Sequence, residues 1–185
     1  MIANALTGIR LALTAPFLAA CRAALSGASP GIRIFPLLLF AVAALTDFFD
    51  GWVARRKGTA SGRGQLFDHA TDAAFIGSSL VFFAATGRVS WWVPVAVAAS
   101  VAAYCRALWR DARAAADLRL ARSTLGHGAG VVNYMLVGLL AADLALAGSV
   151  PEWLVCAADR ATVGINSLAV IGRLLPRGRP VVAGR

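Results

Sequence analysis

Residues 128–148 read GAGVVNYMLVGLLAADLALAG, twenty-one residues with one charged side chain, Asp143. A helix rising about 1.5 Å per residue needs roughly 20 apolar residues to cross the hydrocarbon core of a bilayer. The stretch has that length, so it predicts a transmembrane helix. Five further apolar runs of similar length occupy residues 4–25, 32–54, 66–86, 91–112 and 152–174. Helix breakers separate them: residues 26–31 (SGASPG), the segment from Gly58 to Gly64, Gly87-Arg88-Val89-Ser90, Gly126-His127-Gly128, and Gly148-Ser149-Val150-Pro151.

The whole composition agrees with this reading. The chain is 59% hydrophobic and 15% charged, with a mean hydropathy of +0.71, above the roughly 45–50% apolar content of soluble domains. The predicted fold is all-α, an integral membrane bundle of six transmembrane helices joined by short loops, forming a single domain over residues 1–185. Arg10 lies inside the first apolar run, which lacks the basic leading region of a signal peptide and is expected to remain as the first helix. Cys21, Cys105 and Cys156 fall in separate runs without CxxC spacing and read as small core residues. The alanine richness suits close helix packing in lipid.

Basic residues set the expected orientation, because Lys and Arg concentrate in cytoplasmic loops. With both termini inside, Arg55, Arg56, Lys57, Arg63 and the arginines from 106 to 122 join those of the C-terminal segment on the cytoplasmic side, thirteen basic residues in all. Arg22, Arg33 and Arg88 fall outside, and Arg10 and Arg160 lie within spans. The net charge of +9 suits membrane lipids with anionic headgroups, or anionic substrates, rather than nucleic acid.

The acidic residues are few, and four of them crowd one stretch. Residues 47–72 read DFFDGWVARRKGTASGRGQLFDHATD. Asp47 and Asp50 are three apart at the end of the second run, and Asp68 and Asp72 are four apart at the start of the third, so each pair shares a helix face. Two antiparallel helices joined by a short loop would bring all four to one depth. A carboxylate near lipid faces a bundle interior, a cavity or a cation. Four like charges drive one another to protonate unless a cation neutralises them. Oxygen-only ligands suit a hard divalent ion, Mg²⁺, Mn²⁺ or Ca²⁺, and a pair of such ions is the usual device for displacement at phosphorus. His69 points about 100° away from Asp68 and is not expected to join them. Gly51, Gly62 and Gly64 would let a phosphate or nucleoside approach the backbone, and Arg55 offers a bidentate fork.

Asp47, Asp50, Gly51, Ala54, Arg55, Gly64, Asp68 and Asp72 spell D-x2-D-G-x2-A-R-x8-G-x3-D-x3-D, which resembles the signature of the CDP-alcohol phosphotransferases. Asn4, Thr7, Arg10 and Pro16 are similar to the N-x2-T-x2-R-x5-P pattern that often opens these enzymes. The resemblance covers the first 90 residues by motif and the rest by architecture. It implies that Asp47, Asp50 and Asp68 hold two divalent ions, Mg²⁺ or Mn²⁺, and that Asp72 both approaches a metal and acts as general base. It implies that Gly51, Ala54 and Gly64 leave room for the cytidine and diphosphate, with Arg55 beside the phosphates. A CDP-diacylglycerol-like donor, a small polar alcohol as acceptor, release of CMP, a cytoplasmic site and a homodimer follow from the same resemblance.

The acceptor is less sharply drawn. Arg106, Arg110, Arg113, Arg119 and Arg122 follow the fourth run and are candidates to hold a phosphorylated acceptor, Arg106 first because it stands inside the run, with His127 as a further candidate. Family members that use glycerol phosphate often carry a G-K-x-K-T-like segment before the fifth span, where this chain has Gly126-His127-Gly128-Ala129-Gly130. Glycerol-phosphate and inositol-type acceptors both stay open. Asp159 and Arg160, in the middle of the sixth run, read as structural, with Arg160 expected to meet Asp143 or a second subunit. Two rivals are a cation-coupled transporter using the aspartates as an ion site and a non-catalytic scaffold. No paired halves suggest the first, and the intact aspartate set argues against the second.

Overall fold

The computed structural model describes residues 2–27, 29–57, 62–114 and 124–175, with side chains described at Gly8 and at 10–27, 29–46, 70–110 and 125–175. All regular structure among these residues is helical. The helices are α1 (Ile2–Leu25), a four-residue α2 (Pro30–Arg33), α3 (Phe35–Lys57), α4 (Gly62–Ala85), α5 (Trp92–Ala114), α6 (Thr124–Ala145) and α7 (Glu152–Leu174). Each apolar run has its helix, with bounds shifted by a few residues. Three expected breakers are corrected in whole or part: Gly126-His127-Gly128 lies inside the first turns of α6, Gly62 to Gly64 open α4, and Pro30-Gly31 belong to α2. Glycine is tolerated in helices shielded from water because no solvent competes for the backbone groups it exposes.

Three described helical stretches are long and apolar enough to cross a membrane, Trp92–Arg110, Leu125–Ala145 and Glu152–Leu174; Pro30–Thr46 and Ala70–Ala85 are shorter apolar stretches. The outer surface fits lipid. Phe35, Leu38, Val42 and Leu45 form an exposed apolar stripe along α3, a patch that water would penalise and acyl chains would not. Trp91, Trp92 and Trp153 are exposed near one end of the bundle and Trp109 near the other. Trp92 and Trp109 are about 26 Å apart along α5, close to the roughly 30 Å of a hydrocarbon core whose borders tryptophan favours.

Inside, α1 packs against α3, α4 and α6, while α7 packs against α5 and α6. Among its described residues α1 buries Arg10, Phe17, Cys21 and Ala24, a spacing of seven, four and three that runs along one helix face. Opposite it, α4 buries Phe75, Ile76, Leu80, Phe83 and Ala84, with the Phe17 and Phe75 rings 5.2 Å apart. The face of α6 bearing Leu136, Val137, Leu140, Ala141 and Leu144 completes this core. Thr162, Asn166 and Ala169 are the buried positions of α7, and Asn166 Nδ2 donates to Asn133 Oδ1 of α6 at 2.7 Å.

Close approach of α3 and α6 depends on Gly138. A Cβ there would lie 2.7 Å from Phe40 Cε1 and 2.9 Å from Cζ, and the Phe40 ring is itself packed 6.2 Å from the Tyr134 ring. Gly138→Ala is therefore expected to destabilise the folded protein by about 1–3 kcal/mol through overpacking. Gly164→Ala, with nothing within 4 Å of the added atom, should be neutral or slightly stabilising. Thermal unfolding of the two variants in the same detergent gives the comparison, and equal midpoints would contradict this account of the α3–α6 contact.

Candidate active site

The signature residues occupy two helices that share packing partners. Asp47, Asp50, Gly51, Ala54 and Arg55 lie in the C-terminal half of α3, and Gly64, Asp68 and Asp72 in the N-terminal half of α4. Both helices pack on α1 and on α6. The side chains of Asp47, Asp50, Gly51, Ala54, Arg55, Gly64 and Asp68 lie outside those described, and Asp72 is the signature residue whose surroundings are visible.

Asp72 sits three residues before Phe75, on the face of α4 that α1 covers, about ten residues or 15 Å along the helix. The spacing that buries Phe17 also turns Arg10, seven residues earlier, toward the same seam. Arg10 is fully buried, and its Nη1 donates to Asp72 Oδ1. From the third side, the Tyr134 hydroxyl of α6 donates to the same Oδ1 at 2.9 Å. Three helices thus converge on one carboxylate. The arginine compensates the charge in a region where an isolated carboxylate would be costly.

Among the described residues no three His, Cys, Asp or Glu side chains form a potential metal cluster; the other three aspartates of the signature lie outside that set. The donor chemistry can still be judged. The signature's acidic residues supply carboxylate oxygens alone, with Asp72 held by Arg10 and Tyr134. The thiols are elsewhere: Cys21 is free in the apolar core, and Cys105 and Cys156 are free and exposed. That set fits a hard divalent cation and not a thiolate-preferring one.

The candidate acceptor residues lie on other helices. Arg106 and Arg110 are exposed on α5, and His127 is exposed in the first turns of α6. Arg173, near the end of α7, reaches back to α5, donating to the Ser100 carbonyl at 3.1 Å and lying 5.2 Å from the Tyr104 ring centre. Sequence reasoning placed Arg10 in the opening pattern without a role and passed over Tyr134. A polar group within an apolar span was the signal available for the tyrosine.

The expected pairing of Arg160 with Asp143 is corrected. Arg160 is exposed, and Asp143 instead accepts from Arg88 Nη1 at 2.5 Å and from the Val150 amide at 3.2 Å. Local geometry at the end of α4 explains the choice. Gly87 adopts φ 72°, and the Arg88 amide bonds back to the Phe83 carbonyl at 2.9 Å, a left-handed cap that turns the chain over the end of α6. Asp159 is engaged as well, accepting from the Ser90 amide at 2.7 Å and its hydroxyl at 3.0 Å. Arg88→Ala should cost about 1–3 kcal/mol by removing the charged donor to a buried acceptor. Arg160→Ala should stay within about 0.5 kcal/mol of the parent. Thermal midpoints in detergent would separate them, and the reverse order would overturn the assignment.

The connections carrying Arg33 and Arg88 meet at one end of the bundle, where Gly27, Arg33, Arg88 and Gly148 help line a cavity of about 190 Å³.

Comparison with known proteins bears on the same residues. A family profile described as CDP-alcohol phosphatidyltransferase matches residues 1–165. A Mycobacterium tuberculosis protein named "Probable phosphatidylglycerophosphate synthase" is 36% identical over 96 residues, 52% of this chain and 46% of the relative. The Escherichia coli protein named "CDP-diacylglycerol--glycerol-3-phosphate 3-phosphatidyltransferase" is 35% identical over 65 residues, 35% of each chain. A Rickettsia bellii protein of the same name is 36% identical over 53 residues, 29% of each. The chain thus spans about half the length, or less, of the curated relatives it matches.

Proposed function

Because the chain belongs to the CDP-alcohol phosphatidyltransferase family, we propose that it transfers the phosphatidyl group of CDP-diacylglycerol, or a similar CDP-alcohol, to the hydroxyl of a small polar alcohol. CMP is released. The observation that carries this reading is the Asp72 carboxylate, the last position of the signature, held between Arg10 and Tyr134.

An alcohol is too weak an acid to ionise before attack, so a base must take its proton as the new bond forms. In the proposed step the acceptor oxygen bonds to the phosphorus, the bond from phosphorus to the CMP oxygen breaks, and the acceptor proton passes to Asp72. Asp47, Asp50, Asp68 and Asp72 would hold two divalent ions, Mg²⁺ or Mn²⁺. When bound, such ions offset the charge of the diphosphate and of departing CMP. Gly51, Ala54 and Gly64 would admit the nucleotide, and Arg55 would bind its phosphates. Arg106, Arg110 and His127 remain the candidates for acceptor contact.

Glycerol 3-phosphate is the first acceptor to test, since two of the relatives are named for it. An inositol-type acceptor is the alternative that the segment at His127 keeps open. The surrounding architecture is proposed as a single domain of six spans, with the shorter apolar stretches and α1 joining the three long ones. The excess of basic residues in alternate connections supports termini and site on the cytoplasmic side. A homodimer is proposed from the family resemblance.

The test is direct. Purified protein is given CDP-diacylglycerol, Mg²⁺ or Mn²⁺, and glycerol phosphate, inositol phosphate, inositol or serine, while CMP is measured. Acceptor-dependent release of CMP supports the proposal. Absence of CMP with every acceptor overturns it, and ion flux in liposomes would then favour the transporter.

A further inference from the structure

Resting on the proposed transfer reaction, we propose that Arg10 and Tyr134 are positioning residues for Asp72. Their hydrogen bonds to Oδ1 fix the plane of the carboxylate that takes the acceptor's proton.

The inference starts from the freedom of the side chain. The terminal torsion of aspartate is broad, so helix placement alone does not fix the plane of its carboxylate. Here two donors from different helices meet at one oxygen. Arg10 approaches from α1 and Tyr134 from α6, both onto Oδ1. A single donor could swing with the carboxylate; two separately anchored donors restrict it. Arg10 is anchored by complete burial, and Tyr134 by the Phe40 ring 6.2 Å away. Burial and ring packing thus transmit the rigidity of the bundle to one carboxylate.

Such restraint matters because a group that acts in a displacement must hold its geometry closely. A misplacement of about 1 Å can cost around a hundredfold in rate. The two donors differ in what else they supply. Arg10 compensates charge, so its removal mixes positioning with electrostatics. Tyr134 is neutral, so its hydroxyl reports on positioning with less disturbance.

Tyr134→Phe keeps the ring against Phe40 and deletes only the donor. It should lower kcat about tenfold, the loss expected of one hydrogen bond to a charged group, with the KM for CDP-diacylglycerol within about twofold of the parent. In an Asp72→Asn background the same change should lower the residual rate no further. Unfolding in detergent without substrate supplies a second readout: the two substitutions should be non-additive, because the tyrosine acts through the aspartate. Arg10→Lys, which keeps the charge without the planar fork, should retain more kcat than Arg10→Gln.

Wild-type kcat in Tyr134→Phe overturns the proposal, as does an undiminished Tyr134→Phe effect in the Asp72→Asn background. A lower yield whose folded fraction keeps full kcat also overturns it, since that is a structural role alone. Failure of the parent protein to release CMP is a different result, which removes the reaction itself and this inference with it.

Discussion

Asp72→Asn should reduce acceptor-dependent CMP release by roughly a hundred- to ten-thousandfold, the range expected on losing a positioned general base. The substitution is nearly isosteric. Its amide oxygen can still accept from Arg10 and Tyr134, so the seam between α1, α4 and α6 can close as in the parent. What the amide cannot do near neutral pH is take a proton from the acceptor hydroxyl. Turnover should therefore collapse while the thermal midpoint falls far less than for a core truncation. Turnover within a factor of about three of the parent would remove Asp72 from the role of base, whatever the rest of the signature does.

Arg10→Ala should be the most destabilising of the substitutions considered, by about 3 kcal/mol. Two magnitudes decide this. Neutral hydrogen bonds between transmembrane helices average only about 0.6 kcal/mol, because the unfolded chain in lipid also finds partners. Removing one member of a buried ion pair is different, at about 3–5 kcal/mol, because the remaining charge is left without compensation. Arg10 is fully buried, while the Asp72 side chain is 23% exposed, which favours the lower end. Unfolding of Arg10→Ala beside Arg10→Ala/Asp72→Asn tests the cause: the second change should restore part of the lost stability by removing the orphaned charge. If the double variant is less stable than Arg10→Ala, the loss comes from packing of the arginine stem instead.

Helix positions were legible from the sequence because an apolar run of about twenty residues has few alternatives to a span. The glycines at 126 and 128 misled at the start of α6 because breaker rules describe chains in water, whereas α6 runs through them. Arg160 drew attention as a charge within a run, yet Arg88 pairs with Asp143. That contact depends on a left-handed cap at Gly87, and charge spacing carries no trace of it. The aspartate constellation is a reading of three- and four-residue spacings and of the intervening glycines and arginine, and Asp72 is its member with a described side chain, held by Arg10 and Tyr134. Tyr134 was not legible, because one tyrosine in an apolar run has no spacing partner; only the approach of α6 to α4 gives it meaning.

The bond from Tyr134 to Asp72 ties together portions of the chain that differ in kind. A polypeptide ending at the turn after α4 would still display every position of the signature and the arginine of α1, yet its last aspartate would lack the phenol. The diagnostic pattern and the working unit therefore have different boundaries. Transplanting residues 47–72 into another helical membrane scaffold would carry the emblem of the family without the clasp that closes on it from sixty-two residues downstream.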